Sequence, residues 1–357
     1  MKPHLTRAGL CAASLLSLCD GAWAQSSVTI YGVVDAAAVS TKRAGSSTRL
    51  VESGIGATSR WGLSGTEDLG GGLAAGFWLE AIIKSDTGVI GSTTTQGEAT
   101  FFSRQSNVFL RSSDAGEVRI GRQYPAQVAP SFDVFAGVTG FSPYASLSSI
   151  GKDQGSGTSV GDSRISRAIS YTTPDKFKLG ASVLVATRNM SAPGYRTASA
   201  YGTEVHYNDG PLMLQAQYMA NNTDPTATIP SFRNEWWGFG AQYKYDKFTA
   251  SYIYNTLVPK RAGYLNSQTH ALGFAIPVGP NVIRISPVYR SVNGHSDQNT
   301  FAIGLGYDHF LSKRTVVYAR AGYVANRGNA VGTLSVATQG KAGDDLPLAA
   351  LGMYVRF

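Results

Sequence analysis

The sequence predicts an all-β chain: a single antiparallel, transmembrane β-barrel of about sixteen strands. Three observations predict it. Within the strand candidates between Val28 and Phe357, apolar and polar residues alternate with period two, as strands with two unlike faces require. The connections between strand candidates alternate in length, short then long. The chain also opens on an export leader.

The leader is residues 1–24. Lys2 and Arg7 give the basic start, Leu10 to Leu18 a short apolar core, and Ala22-Trp23-Ala24 a small-x-small cleavage site before Gln25. Cys11 and Cys19 raise a lipoprotein signal as the rival, but each follows a leucine where a small residue is wanted. Both cysteines fall inside the leader. Cleavage would leave residues 25–357 as one barrel domain without disulfides, thiol catalysis or cysteine-ligated metal.

Thr58 to Lys84 shows the plan of a hairpin. Trp61 and Leu63 share one face, against Arg60, Gly62 and Ser64. After a turn at Glu67–Gly72, Leu73, Ala75, Phe77 and Leu79 share a face, against Ala74, Gly76, Trp78 and Glu80. In a membrane barrel the apolar face meets lipid and the face with arginine and glutamate meets the lumen.

The same pattern continues along the chain. Short connections with turn chemistry fall at Glu67–Gly72, Ser112–Gly116, Thr173–Lys176, Asn208–Gly210, Asp246–Lys247, Val278–Pro280 and Leu311–Lys313. Longer polar ones fall at Ser40–Ala57, Ser85–Thr100, Tyr124–Ser163, Asn189–Ser199, Asn222–Arg233, Leu257–Asn266, Val292–Asp297 and Asn326–Asp345. Strict alternation sorts the connections to the two ends of a barrel, which a β-sandwich would not do. Later strands set Arg284 and Arg290, Asp308, and Arg320 on the polar face, as they set Lys178 and Arg188 earlier. Charges on the inner face of strands all round a barrel imply a wet interior. The last strand, Leu351 to Phe357, puts Leu351, Met353, Val355 and Phe357 outward and ends on an aromatic, the form of signal that barrel-insertion machinery reads.

Composition agrees and excludes. Charged residues are 15% of the chain, below the roughly 25% usual for soluble domains. No apolar run after the leader reaches the roughly 18 residues of a membrane-spanning helix. The formal charge is +8, yet lysine and arginine are dispersed, which argues against nucleic acid as a partner. His206, His270, His295 and His309 lack metal-ligand spacing. No phosphate loop, dinucleotide fingerprint or nucleophile elbow occurs, and Asp308-His309 are neighbours on opposite faces. The residues therefore call for no cofactor, no metal and no enzyme. An outer-membrane adhesin, a rim enzyme and a substrate-specific channel remain the alternatives; the last would need an aromatic ladder, for which Trp78, Tyr318 and Tyr354 are too few.

Several motifs in fixed order carry a resemblance. Val28-Thr-Ile-Tyr-Gly-Val-Val-Asp35, Ser59-Arg-Trp-Gly-Leu63, Gly65-Thr-Glu-Asp-Leu-Gly-Gly-Gly-Leu73, Gly121-Arg-Gln123, Phe310-Leu-Ser-Lys-Arg-Thr315 and the terminal Phe357 are similar to the β-proteobacterial general porins of the neisserial, Bordetella and Burkholderia type. The resemblance implies a sixteen-stranded homotrimer in the Gram-negative outer membrane, inserted by the barrel-assembly machinery and surrounded by lipid and lipopolysaccharide. It implies passive passage of small hydrophilic solutes and ions. It also implies a third loop folded into the lumen, facing a wall of arginines. Tyr124–Ser163 suits that loop, being long and carrying Phe132, Phe135, Phe141 and Tyr144. The arginine wall carries over onto Arg60, Arg122 and Arg164. Alternation agrees for Arg60 and Arg164. Arg122 shares parity with the apolar Val118 and Ile120, so it needs a bulge; otherwise Arg119 is the lumen residue. The loop offers only Asp133, Asp153 and Asp162 as acids, with Glu80 among the other lumen charges. Removing Lys2, Arg7 and Asp20 with the leader leaves 29 basic and 22 acidic residues, so a preference for anions is expected.

Overall fold

The computed structural model describes residues 27–43, 46–93, 99–125, 127–135, 140–150, 154, 164–187, 198–223, 230–334 and 341–357. The expected leader lies outside the described residues, as do Asp153, Asp162 and Arg188.

Seventeen hydrogen-bonded segments form one continuous antiparallel sheet. Two of them, Ser46–Ser53 and Arg60–Gly70, pair in succession with the same edge of β1, Ser27–Arg43. They are one strand in two pieces, β2, and the barrel has sixteen. The next are β3 Leu73–Ile82, β4 Gln105–Ser112, β5 Gly116–Gln123, β6 Ile165–Thr172, β7 Leu179–Thr187 and β8 Ala198–Asp209. Then come β9 Leu212–Asn222, β10 Arg233–Tyr245, β11 Phe248–Lys260, β12 Ser267–Val278, β13 Asn281–Val292, β14 Thr300–Phe310, β15 Thr315–Asn326 and β16 Leu346–Arg356. The last strand pairs with the free edge of the first, from Val33 opposite Arg356 to Thr41 opposite Leu348. This closure is what a sheet in lipid needs, because no edge can be left unpaired there.

The two faces are those the alternation predicts. Val28 and Ile30 are each 64% exposed on the outside, while Asp35, in step with Tyr31 and Val33, is fully buried inside. Val183, Val185, Leu305, Tyr307, Leu351 and Met353 continue the outer apolar belt. An apolar surface this extensive belongs against lipid.

Two expectations about connections are corrected. Ser40–Ala57 is not a long loop: β1 and β2 stay paired up to Arg43 opposite Ser46. Thr41, Val39, Thr48 and Leu50 continue the strand pattern that the surrounding serines disguise. The loop chemistry of Gly54 and Gly56 is instead used inside β2, where residues 54–59 leave the ladder. Glu67–Asp68 likewise belong to strand, and the turn is only Gly71-Gly72. Lys178 precedes β7 and bonds Asp209 at 2.8 Å, so it sits at the turn rather than along the wall.

The described part of the long segment after β5 turns inward and carries two short helices, α1 Ala129–Phe132 and α2 Pro143–Ser148. Ser142 caps α2, its hydroxyl accepting from the Ala145 amide at 3.0 Å, with Pro143 at the first helical position. Phe132, Phe141 and Leu147 are fully buried against the inner wall, each contributing roughly 1.5–3 kcal/mol. The wall is built to receive them. A Cβ on Gly240 would lie 2.4 Å from the Phe132 ring, and one on Gly304 would lie 2.7 Å from Pro143. The described start of the last long connection also folds inward. Leu334 is buried over Gly322 beside Phe141, and its carbonyl accepts from the Ser146 hydroxyl at 2.8 Å. The larger of two buried apolar clusters, the one that holds Phe132, Phe141 and Leu147, therefore lies inside the lumen, and a smaller one of Ile165, Ala168, Leu184, Ala186, Ala200 and Met219 is separate from it.

Candidate functional site

The open side of the lumen holds a cluster built round Glu80, which β3 turns inward and buries. Its carboxylate takes Arg104 Nε at 2.6 Å, Arg60 Nε at 3.3 Å and the Tyr31 hydroxyl at 3.1 Å. Arg104 also donates to the Tyr124 hydroxyl, and Arg164 donates to the same oxygen at 3.0 Å. The Arg164 guanidinium lies over the Tyr124 ring, 4.9 Å from its centre, and Arg104 lies 5.8 Å from it. Arg60 and Arg104 thus meet on the Glu80 carboxylate, and Arg104 and Arg164 meet on the Tyr124 phenol. Local fold explains the convergence. Arg60 is the first residue after the break in β2, Arg104 the last before β4, and Arg164 the last before β6. Each is a strand-end residue whose chain has just come out of register, so its side chain reaches across to its neighbours.

Arg122 takes a different place. A bulge does lie there, since the β5–β6 register shifts between Gly121 and Gln123, and Gly121 has φ +129°. Arg122 donates to the Ser103 carbonyl at 2.8 Å and the Ser166 hydroxyl at 2.7 Å. It braces the chain ends that carry Arg104 and Arg164. Arg119 is on the inward face of β5 as well, paired with Glu117 at 2.6 Å and 4.5 Å from the Trp78 ring centre. Bulge and inward Arg119 therefore coexist, where the alternation had offered them as a choice.

The remaining expected residues bind the loop to the wall. Asp133 accepts from the Phe135 amide at 2.9 Å and from the Ser142 hydroxyl, so its carboxylate is occupied in shaping the loop. Asp308 takes Arg284 at 2.8 Å and Arg320 at 2.6 Å. Arg284 then donates to the Val134 carbonyl at 2.6 Å, and fully buried Arg290 donates to the Ile150 carbonyl at 3.2 Å. These cations hold carbonyls of the loop; a strand wall and a loop backbone are joined through charge-assisted bonds. On the outside, Phe357 exchanges both backbone hydrogen bonds with Gly32 at 3.1 Å, and a Cβ on Gly32 would lie 2.4 Å from its ring.

Sequence reasoning missed Arg104 and Tyr124. Arg104 has the parity of the outward Val108 and Leu110, and only its place before the strand frees it to turn in. The shared phenol could not be read from residues 20 and 40 positions apart. Among the described residues no group of three or more metal-binding side chains is present. His309 bonds Asn281 at 2.7 Å and Asp308 bonds arginines, so the two form no acid–base pair. What the arrangement offers is a charged, hydrated passage narrowed by a fixed loop.

Comparison with known proteins agrees with that geometry. The Gram-negative porin family model matches residues 11–329. The chain belongs to the Gram-negative porin family. It is an outer-membrane channel for general diffusion of small hydrophilic solutes. Outer membrane porin protein 32 of Delftia acidovorans is 32% identical to this porin over 327 residues, 89% of each chain. An outer membrane porin of Bordetella pertussis is 26% identical, covering 89% of this porin and 94% of that one. Among solved structures, the anion-selective porin from Comamonas acidovorans superposes with a TM-score of 0.79 at 27% identity, covering 93% of this porin and all of that chain. OmpT of Vibrio cholerae, in its trimer form, shares the fold at 14% identity and a TM-score of 0.62 over 93% of this porin and 99% of that chain.

Proposed function

We propose that this porin prefers anions, and that Arg60, Arg104 and Arg164 set the preference at the constriction. The observation that carries this is the gathering of three guanidinium groups at one place: Arg60 and Arg104 meet the Glu80 carboxylate, and Arg164 shares the Tyr124 hydroxyl with Arg104. Arginine stays charged at any physiological pH, and low-dielectric walls focus its field on ions in transit. The similarity to an anion-selective porin supports the same reading. Arg122 acts as a brace for the cluster, and Arg284, Arg290 and Arg320 serve the loop. A reversal potential across a KCl gradient tests the sign; cation preference would place control with acids of the long loop such as Asp133, Asp153 and Asp162.

The working form in this proposal is a homotrimer, exported by cleavage after Ala24 and assembled through the Phe357 terminus, with lipid and lipopolysaccharide around it. Current steps in triplets in a planar bilayer would support it, and current that rises and saturates with one solute would favour a substrate-specific channel.

A further inference from the structure

The break in β2 has a cause within reach of it. Asp35 points inward from β1 and is fully buried. Its Oδ1 accepts from the Gly54 amide at 2.9 Å and the Tyr318 hydroxyl at 3.0 Å. Its Oδ2 accepts from the Gly56 and Ala57 amides, each at 3.1 Å. Four donors fill the four lone-pair positions of one carboxylate. Among the described residues none of its hydrogen-bond partners is a cation. Three successive-turn amides wrapped about an anionic group make a nest, here with the anion supplied by the chain itself. The main chain at Asp35 is fastened too: its amide donates to the Ser59 hydroxyl at 2.9 Å, and its carbonyl accepts from Ser59 at 3.1 Å and from Ser85.

What the wrapped segment then meets is the loop. The Gly54 carbonyl accepts from the Gly140 amide at 2.6 Å. Ile55 is fully buried and belongs to the same apolar cluster as Phe141, Tyr144 and Leu147. A Cβ on Gly140 would lie 3.2 Å from that carbonyl and 3.5 Å from Ile55 Cδ1, so the loop rests directly on the segment. Gly54 has φ +85°, a conformation that costs an L side chain and that the Asp35 bonds stabilise. Tyr318 locks the far side, its ring filling the space a Cβ on Gly56 would need.

We propose that Asp35 is a positioning residue for the pore: it shapes Gly54–Ala57 into a seat, and the seat fixes how far the Gly140–Phe141 part of the constriction loop reaches across the lumen. The proposal rests on the loop being the narrow point and is independent of which ion sign is preferred. Asp35 touches no passing ion, and its effect on conductance runs through Gly54 and Gly140. A carboxylate is required because a carboxamide replaces one acceptor oxygen with a donor, which then faces the Gly54 amide in the Oδ1 place or the Gly56 and Ala57 amides in the Oδ2 place.

The test uses the full-length trimer. Asp35→Asn is expected to keep the closed barrel, seen as a heat-modifiable trimer, and to raise open-channel current noise with a shifted conductance. Hydrogen exchange at the Gly140 amide should rise by at least about tenfold as the seat loosens. The expected leader holds both cysteines, so Ile55→Cys with Gly140→Cys can be added to Asp35→Asn and oxidised. Quiet current and wild-type conductance should return on oxidation and be lost again on reduction. A merely structural role for Asp35 would lower trimer yield and leave the folded channels unchanged. Tyr318→Phe removes one of the four donors without changing charge; it should give a smaller effect of the same kind, and it serves if Asp35→Asn does not fold. Wild-type noise and conductance in folded Asp35→Asn, or in Tyr318→Phe if only that folds, would overturn the proposal, as would slow exchange at Gly140 in the noisy variant.

Discussion

Replacing Arg164 with glutamate is the most decisive perturbation of the arginine cluster. Among the described residues of the cluster, Arg60, Arg104 and Arg164 against Glu80 give a net charge of +2. For an ion about 8 Å away, each unit charge is worth about 0.5 kcal/mol at the dielectric constant of water and about 2 kcal/mol at the effective value near a protein surface. A Debye length of about 10 Å in 0.1 M salt reduces these by a factor of about 0.45. Two charges then separate an anion from a cation by about 0.9 kcal/mol in the water limit and about 3.7 kcal/mol in the surface limit. The floor is a preference of about fivefold, since about 1.4 kcal/mol is tenfold. Arg164→Glu brings the cluster to zero, so its share of the preference should vanish. Arg164→Gln brings it to +1 and should leave about the square root, roughly twofold at the floor. Raising salt to 1 M shortens the Debye length to about 3 Å and should shrink the wild-type floor to about 1.3-fold. Reversal potentials of the three folded proteins at both salt concentrations measure all of this. An Arg164→Glu channel within twofold of wild type at 0.1 M would refute the reasoning, as would equal effects of the two substitutions.

Other outcomes follow from the same structure. Deleting Phe357, or replacing Gly32 with alanine so that a Cβ enters the Phe357 ring, should strongly lower the amount of heat-modifiable trimer in the outer membrane. Removing Val134–Ser148 should enlarge single-channel conductance and leave a folded barrel, because wall closure uses only strand pairs. Asp308→Asn strips two arginines of their shared partner; loss of such a buried pairing costs about 3–5 kcal/mol, read as a lower midpoint of thermal unfolding, together with a stronger anion preference. At the turns, the hydrogen bond and charge of Lys176, 2.6 Å away, hold the Asp114 carboxyl below its usual range. A depressed folded value gives stability that is present above the unfolded pKa and lost as pH falls through the folded one. Asp114→Asn should therefore flatten the acid side of a plot of thermal midpoint against pH, by a small amount because both groups are exposed.

The sequence by itself determined the class of architecture and which face of most strands meets water. Period two leaves little choice: Val28, Ile30, Val183 and Val185 must share a side, and a charge-bearing opposite face can only be a lumen. It also determined where the chain reverses, wherever glycine, proline or asparagine changes backbone conformation at Gly210-Pro211 or Gly279-Pro280. Its reading failed where the strand leaves register. Thr41–Leu50 looked like loop because serine-rich strand and serine-rich loop have the same composition, and pairing with β1 decides between them. Arg104 and Arg122 have outward parity, yet both lie at strand ends where alternation no longer applies. Glu80 was legible as inward, but its three partners come from β1, β2 and the approach to β4. Strand parity makes Asp35 an inward acid and says nothing more of it. Only the tertiary structure decides that Gly54, Gly56, Ala57 and Tyr318 converge on it, because hydrogen bonds spanning 283 residues of chain depend on how the barrel closes.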